Sequence, residues 1–476
     1  MWEIEIQPIA LDRLADLLSP QRADRLDKYA EIGRDLLDGT TIWNINATGK
    51  GGGVAEMLQT ILAYGRGAGV DLRWLVLDGD SEFFTITKRL HNFLHGSPGD
   101  GGNLGPEERL HYEQVLNYNL PMALQAVEEG DIVLLHDPQT AGLADGLRED
   151  GAHVIWRSHI GRDEPNEFTD AGWSFLRGFI HRADGYIFSR QQYVPDWLPP
   201  ERVEIIPPSV DPFSAKNVRL TAAQTRAALG HAGLVDTKYS RAKLAFTRRD
   251  GSSGRVRQHH DLILNHAPIP ADARLVLQVS RWDRLKDMQG VLRGFADHID
   301  QFPEDVHLAL AGPETSGVTD DPEGAEVLEE CLSLWKGLPD KSRERVHLLC
   351  LPMDDVDENA HLVNALQHHA TVIVQKSLVE GFGLTVTEAM WKAKPVVASR
   401  VGGIQDQIED GVHGLLIDDP YDLAAFAKAI DRLVQNPVLA TRLGEAARAR
   451  VQDVFLGDRH LIQYVELFRS LLQQAQ

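Results

Sequence analysis

Ala370-Thr-Val-Ile-Val-Gln375 runs, across Lys376-Ser-Leu-Val379, into Glu380-Gly-Phe-Gly-Leu-Thr-Val-Thr-Glu388. The first stretch is apolar and β-branched, the pattern of a buried parallel strand, and Leu384 to Ala393 holds good helix formers with no proline until Pro395. The segment reads as strand, glycine loop, helix. Such a loop leaves the first helical amides unpaired at the positive end of the dipole, a site for a phosphate oxygen, and Gly381 and Gly383 let a ligand come close to the backbone. Glu380 and Glu388 flank that site. Phosphate repels a carboxylate, so both acids suit hydrogen bonds from neutral hydroxyls, which a sugar nucleotide carries on either side of its diphosphate. Taken alone, the segment also fits a plainer reading, a solvated loop acid followed by a surface helix residue.

Two further segments bear on the choice. Leu275-Val-Leu-Gln-Val-Ser-Arg281-Trp-Asp-Arg-Leu-Lys286 is an apolar strand ending in two cations five positions apart. Cations at a strand's carboxyl end suit a leaving diphosphate, whose charge grows as its bond to the sugar breaks; Arg284 lies between them as an exposed alternative. Thr41-Ile-Trp-Asn-Ile-Asn46 enters Ala47-Thr-Gly-Lys-Gly51-Gly-Gly53 and then the helical Val54–Leu62, a second strand, glycine loop and helix. It is no P-loop, because Lys50 is followed by Gly, and it lacks the full dinucleotide spacing.

Gly51-Gly-Gly53, Arg281, Lys286 and Glu380 through Glu388 together resemble the elements of retaining glycosyltransferases of family four. Within that family the chain is similar to the trehalose glycosyltransferring synthases. The narrower pieces are Gly51-Gly-Gly-Val-Ala-Glu56, Arg73-Trp74, Glu82-Phe-Phe84 with Thr87-Lys88, His136-Asp-Pro-Gln139, Trp156-Arg-Ser-His159, Pro207-Pro-Ser-Val-Asp-Pro212 with Lys216-Asn217, and Glu380 through Lys392.

The resemblance implies a GT-B fold, two Rossmann-like domains facing each other across a cleft. It implies roles too. Arg281 and Lys286 hold the donor diphosphate, Glu388 accepts from the ribose hydroxyls, and Glu380 meets hydroxyls of the donor sugar. Gly381, Phe382, Gly383, Leu384 and Thr385 present amides to phosphate and sugar, Gly52 and Gly53 close over the diphosphate, and His159 approaches the donor glucose. Arg281, Lys286, His159 and Glu380 form the expected catalytic set. Asp137, Arg157, Glu82 and Phe83 are expected at the acceptor sugar. One departure stands out: where that branch has His-Ile-Asp, this chain reads His159-Ile160-Gly161, which bears on the acceptor more than on the donor.

The implied reaction joins glucose from a nucleoside diphosphate donor (ADP, UDP or GDP) to free glucose as α,α-trehalose. It needs no metal, no cofactor and no protein nucleophile, because the protein mainly positions two sugars and stabilises the departing diphosphate. A hydrolase would need an acid and a second carboxylate across the bond, and no residue is assignable to that second role. Alternatives are a trehalose phosphorylase, a retaining enzyme with another acceptor, a sugar-nucleotide epimerase and a non-catalytic nucleotide-sugar sensor.

Length and composition agree. With 476 residues, 43% of them hydrophobic, two domains of roughly 200 residues are expected. Apolar runs such as Asp131-Ile-Val-Leu-Leu135, Val306-His-Leu-Ala-Leu-Ala311 and Pro395-Val-Val-Ala398 alternate with helical stretches, the mark of parallel sheets covered on both faces. The boundaries expected are an N-terminal domain over 1–215 with a helical extension over 1–38, a linker or insertion over 216–270, a nucleotide-sugar domain over 271–455, and a C-terminal helix over 456–476 crossing back to the first domain. A net charge of −22 argues against nucleic acid. Cys331 and Cys350 are too few for a disulfide framework, no apolar run reaches the ~18 residues of a membrane span, and the acidic start is unlike a signal peptide. The chain reads as cytoplasmic, with a homodimer allowed. The pairs His259-His260 and His368-His369 lack metal-site spacing, and Asp78-Gly-Asp80 reads as a strand-end turn.

Overall fold

Short β-branched stretches separated by amphipathic helices can bury both faces of a strand only in a sheet sandwiched by helices, and that is what forms, twice. The computed structural model describes residues 1–49, 52–265, 267–315 and 323–475. The chain divides into two compact units, Met1–Val210 with Phe455–Gln476, and Asp211–Val454.

In the first unit, strands β1 (Trp2–Glu3), β2 (Ile42–Asn46), β3 (Leu72–Val76), β4 (Ile132–His136), β5 (His153–Ser158), β6 (Gly185–Phe188) and β7 (Val203–Ile205) form one sheet in the order β1-β3-β2-β4-β5-β6-β7. All neighbours are parallel except β1, which runs antiparallel to β3. Alternation along each strand divides the core. Trp43, Ile45, Leu135 and Trp156 pack on one face, and Ile42, Leu134 and Ile155 on the other, beneath Tyr464, Leu467 and Phe468 of the C-terminal helix Gly457–Ala475. The strand order reverses between β2 and β4, where ligands of such sheets bind at the carboxyl ends.

The second unit carries β8 (Val235–Asp236), the hairpin β9 (Ala245–Thr247) and β10 (Ser253–Arg255), β11 (Ile269–Pro270), and a parallel sheet of β12 (Arg274–Val279), β13 (Val306–Pro313), β14 (Val346–Leu351), β15 (Val372–Gln375), β16 (Val396–Ser399) and β17 (Leu415–Ile417). Its order is β14-β13-β12-β15-β16-β17, so the switch point falls between β12 and β15. Those are the strands that lead to Lys286 and Glu380. The helix expected over Leu384–Ala393 ends at Trp391, and Ala393 takes a left-handed φ of 55° that closes it, with the Ala393 and Lys394 amides donating to the Met390 and Ala389 carbonyls.

The segment 216–270, expected to be a linker or insertion, is a built part of the second unit. It docks on the helix Val356–His369 and the residues before it through Arg248–Asp355 at 2.6 Å, Arg249–Asp357 at 2.8 Å and Arg257–Asp354 at 2.6 Å, and Arg257 Nε also donates to Glu358 at 2.6 Å. Among the described residues no helix is long and apolar enough to cross a membrane.

Candidate active site

In the second unit the loops after β12 and β15 meet. Asp283 accepts from the Leu285 amide and sets a single 3-10 turn, Arg284–Lys286. Asp287 then takes a left-handed φ of 51° and caps the helix Met288–Ala296. Gln278 ties the two loops together: its amide donates to the Lys286 carbonyl at 2.8 Å, and its oxygen accepts from the Lys376 amide at 3.1 Å. The fully buried Lys376 ammonium bonds Asp287 and the Pro420 carbonyl. On this frame Lys286 Nζ lies 2.7 Å from both oxygens of Glu380, and Ser377 Oγ donates to the same carboxylate at 3.1 Å. Arg281 stands half-buried on the same loop, ahead of the turn, 3.7 Å from Asp283.

Gly383, at φ 87°, opens the helix Leu384–Trp391. The loop is held from behind by Gln407, whose amide donates to the Phe382 carbonyl at 2.5 Å while its oxygen accepts from Thr387 Oγ1 at 2.7 Å. A Cβ on Gly403 would lie 2.6 Å from Phe382 Cα, so glycine there is what lets the loop close down. One turn into the helix, Glu388 is buried with Lys216 Nζ at 3.3 Å. Lys392 donates to Asn217 Oδ1 and the Glu388 carbonyl, and burial pushes its ammonium down to about 7 against the pull of the Glu388 carboxylate. Lys216-Asn217, quoted above without a role, therefore frames Glu388, 172 residues on. Arg281, Lys286, Glu380, Gly381, Phe382, Gly383, Leu384, Thr385 and Glu388 all lie on two adjacent loops and the helix that follows them.

In the first unit, Gly52 and Gly53 begin the helix Gly52–Gly67 after β2, whereas Lys50 and Gly51 lie outside the described residues. The pairing of His136 with Arg157 across β4 and β5 brings the two following residues of interest to one sheet edge. Asp137, at φ 63°, accepts from the His159 amide at 2.7 Å. Burial pushes its carboxyl up to about 7, opposed by that hydrogen bond and by the Arg157 charge. Burial, with Arg157 nearby, also holds the His159 imidazole well below its ordinary value.

Two acceptor expectations need correction. Arg157 follows Ile155 on the face covered by the C-terminal helix, since alternate strand residues share a face. It is fully buried, and its guanidinium bonds Tyr464 Oη, His460 Nε2 at 3.2 Å and the Ile206 carbonyl at 3.1 Å. Phe83 is likewise in the core, with its ring 5.7 Å from that of Tyr112. Both are structural ties and neither offers a face to a sugar. Glu82 is exposed at the start of the helix Ser81–Leu94, which Asp80 caps through the Phe83 amide. At Gly161, a Cβ would fall 2.0 Å from Tyr193 Cγ, so the tyrosine ring occupies the space a side chain would need there. Asp163, two residues on, is paired with Arg190 at 2.6 Å. Among the described residues no group of three His, Cys, Asp or Glu has a metal-holding arrangement.

Two doubly wound units, each with a helix that starts after a strand at its switch point, and a cation–carboxylate pair in the second, have the architecture of the GT-B glycosyltransferase class. Residues 261–450 match the glycosyl transferases group 1 family and residues 44–195 match the trehalose synthase N-terminal domain. The chain is 34% identical to a trehalose synthase of Rubrobacter xylanophilus over 96% of its own length and 97% of that protein's. It is 27% identical to a trehalose phosphorylase of Grifola frondosa over 86% of its length and 54% of that longer protein. Among solved structures, a trehalose-6-phosphate synthase superposes with a TM-score of 0.68 at 14% identity, covering 91% of this chain and 99% of that one. The chain belongs to the trehalose synthase family, and its chemistry is glycosyl transfer related to trehalose.

Proposed function

We propose that the protein is a retaining glucosyltransferase that moves glucose from a nucleoside diphosphate donor to free glucose, giving α,α-trehalose without a metal. The observation that carries this reading is the bidentate contact of Lys286 with Glu380 beside the helix start at Gly383 and one turn from Glu388. In this reading Lys286 suits the diphosphate, the amides at the helix start suit phosphate and sugar, Glu380 suits hydroxyls of the donor sugar, and Glu388 those of the ribose. As the bond from the anomeric carbon to the diphosphate oxygen lengthens, Lys286 and Arg281 neutralise the charge gathering on the leaving group. The sugar becomes oxocarbenium-like, and the acceptor hydroxyl attacks from the face the diphosphate is leaving. That diphosphate takes the acceptor's proton, so the α configuration is retained and no protein nucleophile is used. The resemblance assigns His159 to the donor glucose and Asp137 to the acceptor sugar. A cytoplasmic location belongs to the same reading, because Cys331 and Cys350 are both free thiols, which persist in reducing compartments.

The similarity to a trehalose phosphorylase favours one second reading, in which inorganic phosphate occupies the place of the diphosphate. NMR of the anomeric protons separates the two. The protein is incubated with ADP-glucose or UDP-glucose, with and without glucose, and in parallel with trehalose and phosphate. An α,α-linked disaccharide formed only from donor plus glucose supports the synthase; glucose 1-phosphate released from trehalose and phosphate, with the nucleotide sugars left intact, would replace it by the phosphorylase.

A further inference from the structure

His159 is half-buried, and its ring lies against that of His136, with centroids 5.4 Å apart and planes 12° apart. The contact is directional: His136 Nδ1 lies 3.1 Å from His159 Nε2, and the other nitrogen of His136, Nε2, lies 2.9 Å from Asn44 Oδ1. Asn44 and His136 are 3% and 1% exposed, so water does not decide where the protons sit. With Asn44 oriented so that its Oδ1 faces the ring, that oxygen can only accept, which places the His136 proton on Nε2. A neutral imidazole has one N–H, which leaves His136 Nδ1 with a lone pair, and the group facing it must donate. That group is His159 Nε2. We propose that Asn44 and His136 form a relay that fixes the proton of His159 on Nε2 and so leaves His159 Nδ1 as a hydrogen-bond acceptor for a hydroxyl of the bound sugar.

The rest of the first unit supports the geometry. The His159 backbone is pinned by Asp137 Oδ1, and the His136 carbonyl accepts from Thr140 Oγ1 at 2.9 Å. Rotating either ring would break the His136–His159 contact and the stack, and rotating His136 would also break its contact to Asn44. Burial and the nearby Arg157 guanidinium hold both imidazoles well below the ordinary histidine range, which favours a neutral pair sharing one proton across the 3.1 Å contact. In this arrangement His159 does not protonate the leaving group. It receives a sugar hydroxyl and orients it, and Asn44 and His136 are positioning residues that act through it.

The naming of a sugar hydroxyl as the partner rests on the proposed glucosyltransferase reading; the proton arrangement does not. The test is a long-range 1H–15N spectrum of the full chain labelled with 15N-histidine at neutral pH. His159 and His136 are assigned by the signals lost in His159→Gln and His136→Asn. Both rings are expected as the neutral Nε2–H form. An Nδ1–H or doubly protonated His159 would overturn the relay, whatever the enzyme's activity. Conversely, the expected spectrum in a protein that transfers no glucose would leave the relay standing and remove the functional reading. Kinetics supply the second arm. His136→Phe keeps ring volume but removes the acceptor, and a fall of about tenfold in kcat/KM is expected for one lost orienting hydrogen bond. His136→Asn, whose amide oxygen falls near the place of Nδ1, should recover most of it. Equal losses in both variants, with melting temperatures unchanged, would count against the relay.

Discussion

Replacing Lys286 by Ala removes both 2.7 Å contacts to Glu380, a carboxylate whose side chain is 8% exposed against 21% for the lysine. Two unit charges at that distance attract by about 6 kcal/mol at an effective dielectric of 20. Desolvation of both groups offsets most of this, so the net loss in stability is about 1–3 kcal/mol. In a unit of this size that lowers Tm by roughly 2–12 °C. The catalytic loss is separate and larger in effect. With the ammonium gone, Arg281 alone is left to match the charge growing on the departing diphosphate, and turnover should fall by on the order of 100-fold or more. The assay is release of nucleoside diphosphate from the nucleotide sugar with glucose present, run below the melting range of the variant and normalised to folded protein by circular dichroism. Turnover within about threefold of the unaltered chain would refute the diphosphate assignment and leave the Lys286–Glu380 pair a structural one.

Glu388→Ala should weaken nucleotide binding by roughly 1.5–3 kcal/mol through lost ribose hydrogen bonds, read by calorimetry; unchanged affinity would take Glu388 out of the site. The Asp137 carboxyl, raised to about 7, is protonated in the folded state at pH values where the unfolded chain has already ionised. The folded state therefore holds the extra proton, and this group's contribution to stability falls as pH rises from about 4 to about 7. Because the ionised form is the better hydroxyl acceptor, KM for glucose should improve as pH rises through about 7, and Asp137→Asn should flatten that dependence. A pH-independent KM in the unaltered chain would remove Asp137 from the acceptor. Gly161→Ala forces a Cβ toward Tyr193 at 2.0 Å and should cost about 1–3 kcal/mol of stability as overpacking; an unshifted melting curve would show that the tyrosine yields freely.

What was legible along the chain was whatever depends on neighbours in sequence. The alternation of apolar runs and helical stretches marks two parallel sheets, and glycines between a strand and a helix mark where helices start at the strand ends. Arg281 and Lys286 at a strand end, and Glu380 and Glu388 around a glycine loop, could be picked out because a few consecutive residues carry the signal. Tertiary structure decided the pairings between distant segments. Lys286 meets Glu380 across 94 positions and His136 meets Asn44 across 92, and no local pattern marks either partner. Arg157 was expected at the acceptor from the resemblance, yet strand alternation and the C-terminal helix draw it into the core. The polar stretch 216–270 looked like a linker until Arg248, Arg249 and Arg257 found acids about a hundred residues away. Local sequence sets what each strand end can offer a ligand, but burial and packing choose which charges meet, because an ion or imidazole is worth what its neighbours in space make of it.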